Sequence, residues 1–320
     1  MGGNVFKGKT DRIKRDDITT TLDNYFDELG RLFPKKKNIF KYFKPVGSVG
    51  KKDTSGDIDL AIDVSTILDK NFSDESIKEW GIEPQIIKDN FIKLKARSRT
   101  ATDSQLMLKS FLLELVKVIN SKSPNIFCDE KKVTPGNIFS LYPQFDGTTK
   151  KKLDIGVQID WMIGDLDWLE FSYYSEEYKG NVKGLHRTQL MLSMFTNKGL
   201  IFNHAGGVKD KETNTILATK PSEAIDKLNE LYNFNLTKSI LENYFTLRTF
   251  LEKNLDKSEY DSIIGIYLRI LDSTRCDIPE DLQNTWKARK TELQLTGKFL
   301  PDDSKLLQES YKSFKDLILN

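Results

Sequence analysis

Cysteine and histidine are scarce in this chain: its 320 residues include two cysteines, Cys128 and Cys276, and two histidines, His186 and His204. The cysteines stand far apart and form no C-x-x-C pair, which excludes a disulfide framework and a cysteine-ligated zinc site and leaves both as expected core residues. Two isolated histidines make no metal site either. His186 is expected at the surface or beside a phosphate, and His204 in a turn. No apolar run approaches the roughly 18 residues that a membrane-spanning helix needs. The opening MGGNVFKGKTDRIKR lacks the apolar stretch of a signal peptide, so the expectation is a cytoplasmic protein with no membrane partner. A dominant charge is missing as well, because 49 basic residues against 47 acidic ones leave a net +2. That balance excludes the strongly basic surface of a dedicated duplex binder and leaves any nucleic-acid contact to local patches. Internal repeats and low-complexity linkers are absent too.

What is present suffices for a folded protein. Hydrophobic residues make up 38% and aromatics 11%, too many core-forming side chains for a disordered chain. Basic patches occur at Lys35-Lys36-Lys37, Lys51-Lys52 and Lys150-Lys151-Lys152. The first fifteen residues carry Lys7, Lys9, Arg12, Lys14 and Arg15 against one acid, Asp11. Any single run of this kind is ordinarily a solvated loop, so position decides what it means.

Residues 16–33 begin with acids and threonines and then place Leu22, Phe26, Leu29 and Phe33 on one helical face, which predicts a capped amphipathic helix. The aromatic and β-branched run from Ile39 to Val46 predicts a strand ending in a tight turn at Gly47-Ser48. Asp57 to Asp63 alternates acid with apolar at period two, predicting a strand with Ile58, Leu60 and Ile62 on one face and the carboxylates on the other. Residues 84–122 read as helical, with the segment from Leu106 to Ile119 deeply packed. Short β-like runs follow between Ile126 and Phe145, and a third strand is expected over Leu153–Ile163. Beyond about residue 184 the pattern is helical apart from a hairpin over Gly199–Ala218. Ile240, Tyr244, Leu247 and Leu251 share a helical stripe, and Ile263–Leu271 is nearly all apolar.

The informative stretch is Gly47-Ser48-Val49-Gly50-Lys51-Lys52-Asp53-Thr54-Ser55-Gly56-Asp57-Ile58-Asp59-Leu60. Two carboxylates at i and i+2 of a strand project from one face, at a separation suited to bridging two divalent cations. A Gly-Ser turn directly after a strand offers backbone N–H groups and a hydroxyl that cradle phosphate oxygens. Lys51 and Lys52 lie between turn and acids, where they neutralise a polyphosphate. Together these features predict a metal–triphosphate site.

On these residues the chain resembles the DNA polymerase β-type nucleotidyltransferase superfamily, whose signature is an apolar residue, Gly-Ser, a spacer and then Asp-x-Asp on a strand. The match here is Val46-Gly47-Ser48, eight intervening residues, and Asp57-Ile58-Asp59-Leu60. Ser55-Gly56-Asp57 resembles the polymerase members themselves. The spacer is slightly short, and Gly50, Lys51 and Lys52 replace the paired arginines common in polymerase members. The resemblance covers less than half of the chain. It implies an α/β (α+β) palm with a mixed sheet and helices on one face, over residues 16–180. A basic arm (1–15) would precede the palm, and a helical substrate-binding domain (181–320) would follow it.

The resemblance also implies a third carboxylate from a neighbouring strand, acting as metal ligand and general base. Asp154 and Asp160 compete. They are six residues apart and would share a face of a regular strand; Asp160, in the more apolar setting where an unpartnered charge is costly, is preferred. The segment after this acid commonly supplies a base-stacking ring and a triphosphate cation. Tyr174, Lys183 and Arg187, in the aromatic and basic stretch from Phe171 to Arg187, are the candidates, with a domain-linking surface as the plain alternative. The implied activity is transfer of a nucleoside monophosphate from a nucleoside triphosphate to a hydroxyl acceptor. It would use two Mg2+ or Mn2+ ions held by Asp57, Asp59 and Asp160, with Gly47, Ser48 and Lys51 on the triphosphate. An RNA 3′ end, extended as by viral-type poly(A) or terminal transferases, is the leading acceptor. Synthesis of an oligonucleotide second messenger is an alternative, as is an inactive palm serving as a nucleic-acid-binding scaffold.

Overall fold

The computed structural model describes residues 5–98, 101–176, 182–204, 206–274 and 276–296. The chain divides into two compact units, Met1–Glu170 and Phe171–Asn320. Among the described residues no helix is long and apolar enough to cross a membrane.

In the first unit, β1 (Ile13–Lys14) leads into α1 (Arg15–Leu32), whose first turn carries Asp16 and Asp17, favourable charges at a helix N-terminus. A 3-10 helix over Pro34–Tyr42 follows, then β2 (Lys44–Val46), β3 (Thr54–Ser55) and β4 (Asp57–Asp63). Short helices α2 (Val64–Ile67) and α3 (Asp74–Lys78) precede α4 (Pro84–Lys95) and α5 (Asp103–Lys122). Thr102 caps α5 by accepting from the Gln105 N–H, and the Gln105 side chain accepts from the Thr102 N–H. β5 (Phe127–Cys128), β6 (Asn137–Phe145) and β7 (Lys152–Gly164) complete a five-stranded mixed sheet of order β2-β4-β7-β6-β5, in which only β4 and β7 run parallel. The predicted mixed α/β class is therefore observed.

The period-two pattern of β4 divides as its alternation requires. Ile58, Leu60 and Ile62 enter one core with Val157, Ile159, Trp161 and Ile163 of β7. Ile18, Leu22, Tyr25 and Leu29 of α1 and Phe111, Leu112, Leu115 and Ile119 of α5 pack in the same cluster, so these helices cover one face of the sheet. The strand expected over Ile39–Val46 is confined to Lys44–Val46. Its aromatic half is helical because the buried rings are Phe40 and Phe43, three apart, while Tyr42 is 54% exposed; a spacing of three suits a 3-10 turn rather than a pleat.

α6 (Leu166–Ser172) spans the division, and the second unit continues with α7 (Gly184–Asn197). The expected hairpin is a three-stranded antiparallel meander, β8 (Leu200–Asn203), β9 (Gly207–Asp210) and β10 (Ile216–Ala218). Then come α8 (Pro221–Tyr232), α9 (Lys238–Glu242), α10 (Tyr244–Asn254), α11 (Lys257–Ser273) and α12 (Gln283–Thr296). The stripe from Ile240 to Leu251 falls on two helices, because Asn243 turns its side chain back to accept from the Thr246 N–H and starts α10 afresh. Cys128 is buried as expected, whereas Cys276 is only partly covered.

Candidate metal centre

Strand register brings the acids together. In the parallel ladder Asp57 lies opposite Gln158 and Asp59 opposite Asp160. Residues two apart share a face, so Asp57, Asp59, Gln158 and Asp160 form a polar square on the side of the sheet away from the helices. Asp57 and Asp160 are buried, 5% and 2% exposed, and Asp59 is partly buried. Ligand oxygens of Asp57, Asp59 and Asp160 lie within 4.8 Å of one another.

Three carboxylates at this distance repel. Burial, then Asp57, then Asp160 hold the Asp59 carboxyl well above the ordinary aspartate range. Burial pushes Asp160 up to about 7, with the Gln158 hydrogen bond opposing and Asp57 adding to the shift. Asp160 Oδ2 accepts from Gln158 Nε2 at 2.9 Å, while Oδ1 is buried without a hydrogen-bond partner. Clustered anionic oxygens, one of them buried and unsatisfied, fit a hard divalent cation such as Mg2+ or Mn2+. Asp154, the competing third acid, is exposed and outside the cluster.

The Gly-Ser turn abuts the square. β2 and β4 pair with Val46 opposite Asp59, and Gly47 follows at φ +67°, where a Cβ would lie 2.9 Å from Asp59 Oδ2. Glycine is needed there both for the left-handed backbone and for room beside the carboxylate. The Lys51 N–H donates to Ser48 O at 3.1 Å and closes the turn. Ser55 Oγ donates to the same carbonyl at 3.4 Å. Lys51 is exposed. The turn is tethered from either side of β1: Arg12 donates to Thr54 Oγ1 at 2.8 Å and to Thr54 O at 2.6 Å, and Arg15 Nε to Lys52 O at 3.2 Å.

The downstream candidates sit in the second unit, and Arg187 lies in its interior. It is fully buried in α7, with Nε donating to Leu241 O at 2.5 Å and Nη1 to Phe171 O at 2.6 Å. Its guanidinium lies 4.8 Å from the Phe171 ring centroid and 5.9 Å from that of Tyr174. Lys183 pairs with Asp277 at 2.5 Å. His186 is likewise buried rather than superficial: Nδ1 accepts from the Lys183 N–H at 2.7 Å and Nε2 meets Asp277 O at 2.8 Å. Burial lowers its pKa, with the hydrogen bonds to the Asp277 and Lys183 backbone opposing. His204 follows β8 in a turn, as expected. Tyr178 to Asn181 lie outside the described residues.

Gln158 is the site residue that sequence reasoning missed. Its one signal was a lone amide inside the apolar run Val157–Ile163, two residues before Asp160 and therefore on the same face.

No family model matches the chain, and no curated protein does. Among solved structures the chain is similar to Leishmania infantum polymerase beta in a ternary P/T complex, at 12% identity over 74% of this chain and 77% of that chain, with a TM-score of 0.38. It is also similar to the same polymerase in a ternary gap complex, at 12% identity over 80% and 67% of the respective chains, with a TM-score of 0.29.

Proposed function

We propose that this protein is a metal-dependent nucleotidyltransferase that moves a nucleoside monophosphate from a nucleoside triphosphate to a hydroxyl acceptor and releases pyrophosphate. The observation that carries this reading is the convergence of Asp57, Asp59 and Asp160 beside the Gly47-Ser48 turn. Asp57 and Asp59 would hold two divalent ions and Asp160 one of them; such ions, when bound, make the acceptor hydroxyl a better nucleophile and offset charge on the triphosphate. Asp160 would also serve as the base of this site, receiving the acceptor proton. The turn's backbone N–H groups, the Ser48 hydroxyl and Lys51 bind the β- and γ-phosphates. For the acceptor we favour an RNA 3′ end extended without a template. Exposed Lys7, Lys9, Lys14, Lys35 and Lys37 in the same unit support it, because a backbone-tracking groove needs cations and no base reading.

Incubation with each labelled nucleoside triphosphate, Mg2+ or Mn2+, and with or without RNA tests this. Extended RNA with pyrophosphate release is expected, and Asp57→Ala or Asp59→Ala should remove several kcal/mol of transition-state stabilisation. Oligonucleotides formed without RNA would replace the acceptor reading by messenger synthesis. No turnover with any triphosphate would overturn the activity.

A further inference from the structure

Gln158 is 2% exposed, and its two amide ends are both committed. Oε1 accepts from the Val5 backbone N–H at 3.0 Å, and Nε2 donates to Asp160 Oδ2 at 2.9 Å. The orientation follows from the partners. A flipped amide would set its oxygen against a carboxylate and its NH2 against a backbone N–H, two repulsive contacts in place of two bonds. The donated bond ties down one oxygen of Asp160 and leaves Oδ1 unbonded inside the acid cluster.

The segment that supplies Val5 is itself fixed to β7. A Cβ on Gly156 would lie 2.8 Å from Lys9 O and 2.6 Å from Leu141 Cδ1, so only glycine lets the segment lie this close. The Asp11 N–H donates to Gly156 O at 3.1 Å, and Gln144 Nε2 reaches Asp11 O and Gly156 O at 3.1 and 3.0 Å. Phe6, 7% exposed, packs edge-on against Phe127 with ring centroids 6.1 Å apart. The same segment then pairs Ile13 with Ser55, bordering the turn that holds Gly47. One stretch of chain therefore touches both halves of the site.

We propose that Gln158 is a positioning residue that orients the Asp160 carboxylate for a divalent cation, and that the Val5 N–H holds Gln158 in the orientation this requires. The inference rests on reading Asp57, Asp59 and Asp160 as a cation site, and it adds an amide relay that makes the N-terminal segment part of the site's support. Groups that orient metal ligands are worth roughly 10- to 100-fold in metal affinity when removed. A merely structural amide would change the melting temperature and leave that affinity alone.

The test is a calorimetric titration of the full chain with Mn2+, without nucleotide, beside a thermal melt of each variant. Gln158→Met keeps length and loses both polar ends. Val5→Pro removes the donating N–H, and Val5→Ala keeps it. The expected result is Mn2+ binding weakened about tenfold or more in Gln158→Met and Val5→Pro, and unchanged in Val5→Ala. Wild-type affinity in a folded Gln158→Met protein would overturn the relay while leaving the cation site standing. Should Gln158→Met fail to fold, equal affinity in the two Val5 variants would overturn it instead. Absence of Mn2+ binding in the wild type would overturn the cation site and the relay with it.

Discussion

Gly47 shows how much one residue decides here. Its φ of +67° and the 2.9 Å from a notional Cβ to Asp59 Oδ2 mean that any side chain meets the free end of a carboxylate, which moves more easily than backbone. Gly47→Ala should therefore cost the fold only about 1–2 kcal/mol of left-handed strain. It should displace Asp59 and lower Mn2+ affinity by more than the stability loss accounts for. Denaturant unfolding and Mn2+ calorimetry on one preparation check this; an unchanged Mn2+ affinity would show that Gly47 serves the turn alone. At this scale the sequence was legible where chemistry is local. The Gly-Ser turn and the Asp57-x-Asp59 pair lie within a dozen residues, and strand periodicity orients both acids. Parity puts Asp154 and Asp160, six apart, on one face, but β7 is irregular between them: Pro143 pairs with Gly156 and Phe145 with Lys152, so residues 153–155 face Gln144 alone. Counting in twos fails across such a bulge. Gln158 stayed hidden for another reason, since its meaning depends on Val5, 153 residues away.

Among elements, the pairing of β4 with β7 is decisive, and α1 secures it from the core side. Trp161 Nε1 donates to Tyr25 OH at 2.9 Å, Tyr25 OH meets Ser140 Oγ at 3.0 Å, and Ser140 Oγ donates to Ile159 O at 2.8 Å. This chain runs beneath β6 and β7, with Ile159 and Trp161 flanking Asp160. Tyr25→Phe removes its centre and leaves the buried Trp161 N–H unsatisfied, at a cost of about 1–3 kcal/mol. A matching drop in unfolding free energy is expected; a loss below about 0.5 kcal/mol, the size of an ordinary surface change, would mean the network contributes little. The helices and the β4 and β7 strands were legible because each buries a face of fixed period. The segment over Ile39–Phe43 was misread because aromatic composition suggested a strand, whereas the spacing of Phe40 and Phe43 follows a 3-10 turn. The stripe through Tyr244 misled differently, since apolar spacing alone does not reveal that Asn243 restarts the helix.

At the scale of the whole molecule, a cluster of buried acids costs stability until its charge is neutralised. Asp160 is shifted from an ordinary 3.8 to about 7, and Asp59 moves in the same direction. Between these pH values the folded chain keeps a proton that the unfolded chain has released. Stability is therefore highest below about pH 4 as far as these groups act, and falls as pH rises through 7, by up to about 1.4 kcal/mol per pH unit for each group. A bound divalent cation replaces that proton and reverses the trend, adding stability as its concentration exceeds the dissociation constant. Whether Asp57, Asp59 and Asp160 form one cation site is read from the melting temperature at pH 5.5 and pH 7.5, with chelator and with millimolar Mn2+. Expected are a fall between the two pH values in chelator and recovery of several degrees by Mn2+ at pH 7.5; Asp59→Asn should lose the Mn2+ recovery and keep the part of the fall that buried Asp160 contributes. Melting that is independent of pH and of Mn2+ in the wild type, or a Mn2+ response that persists in Asp59→Asn, would contradict a single cation site.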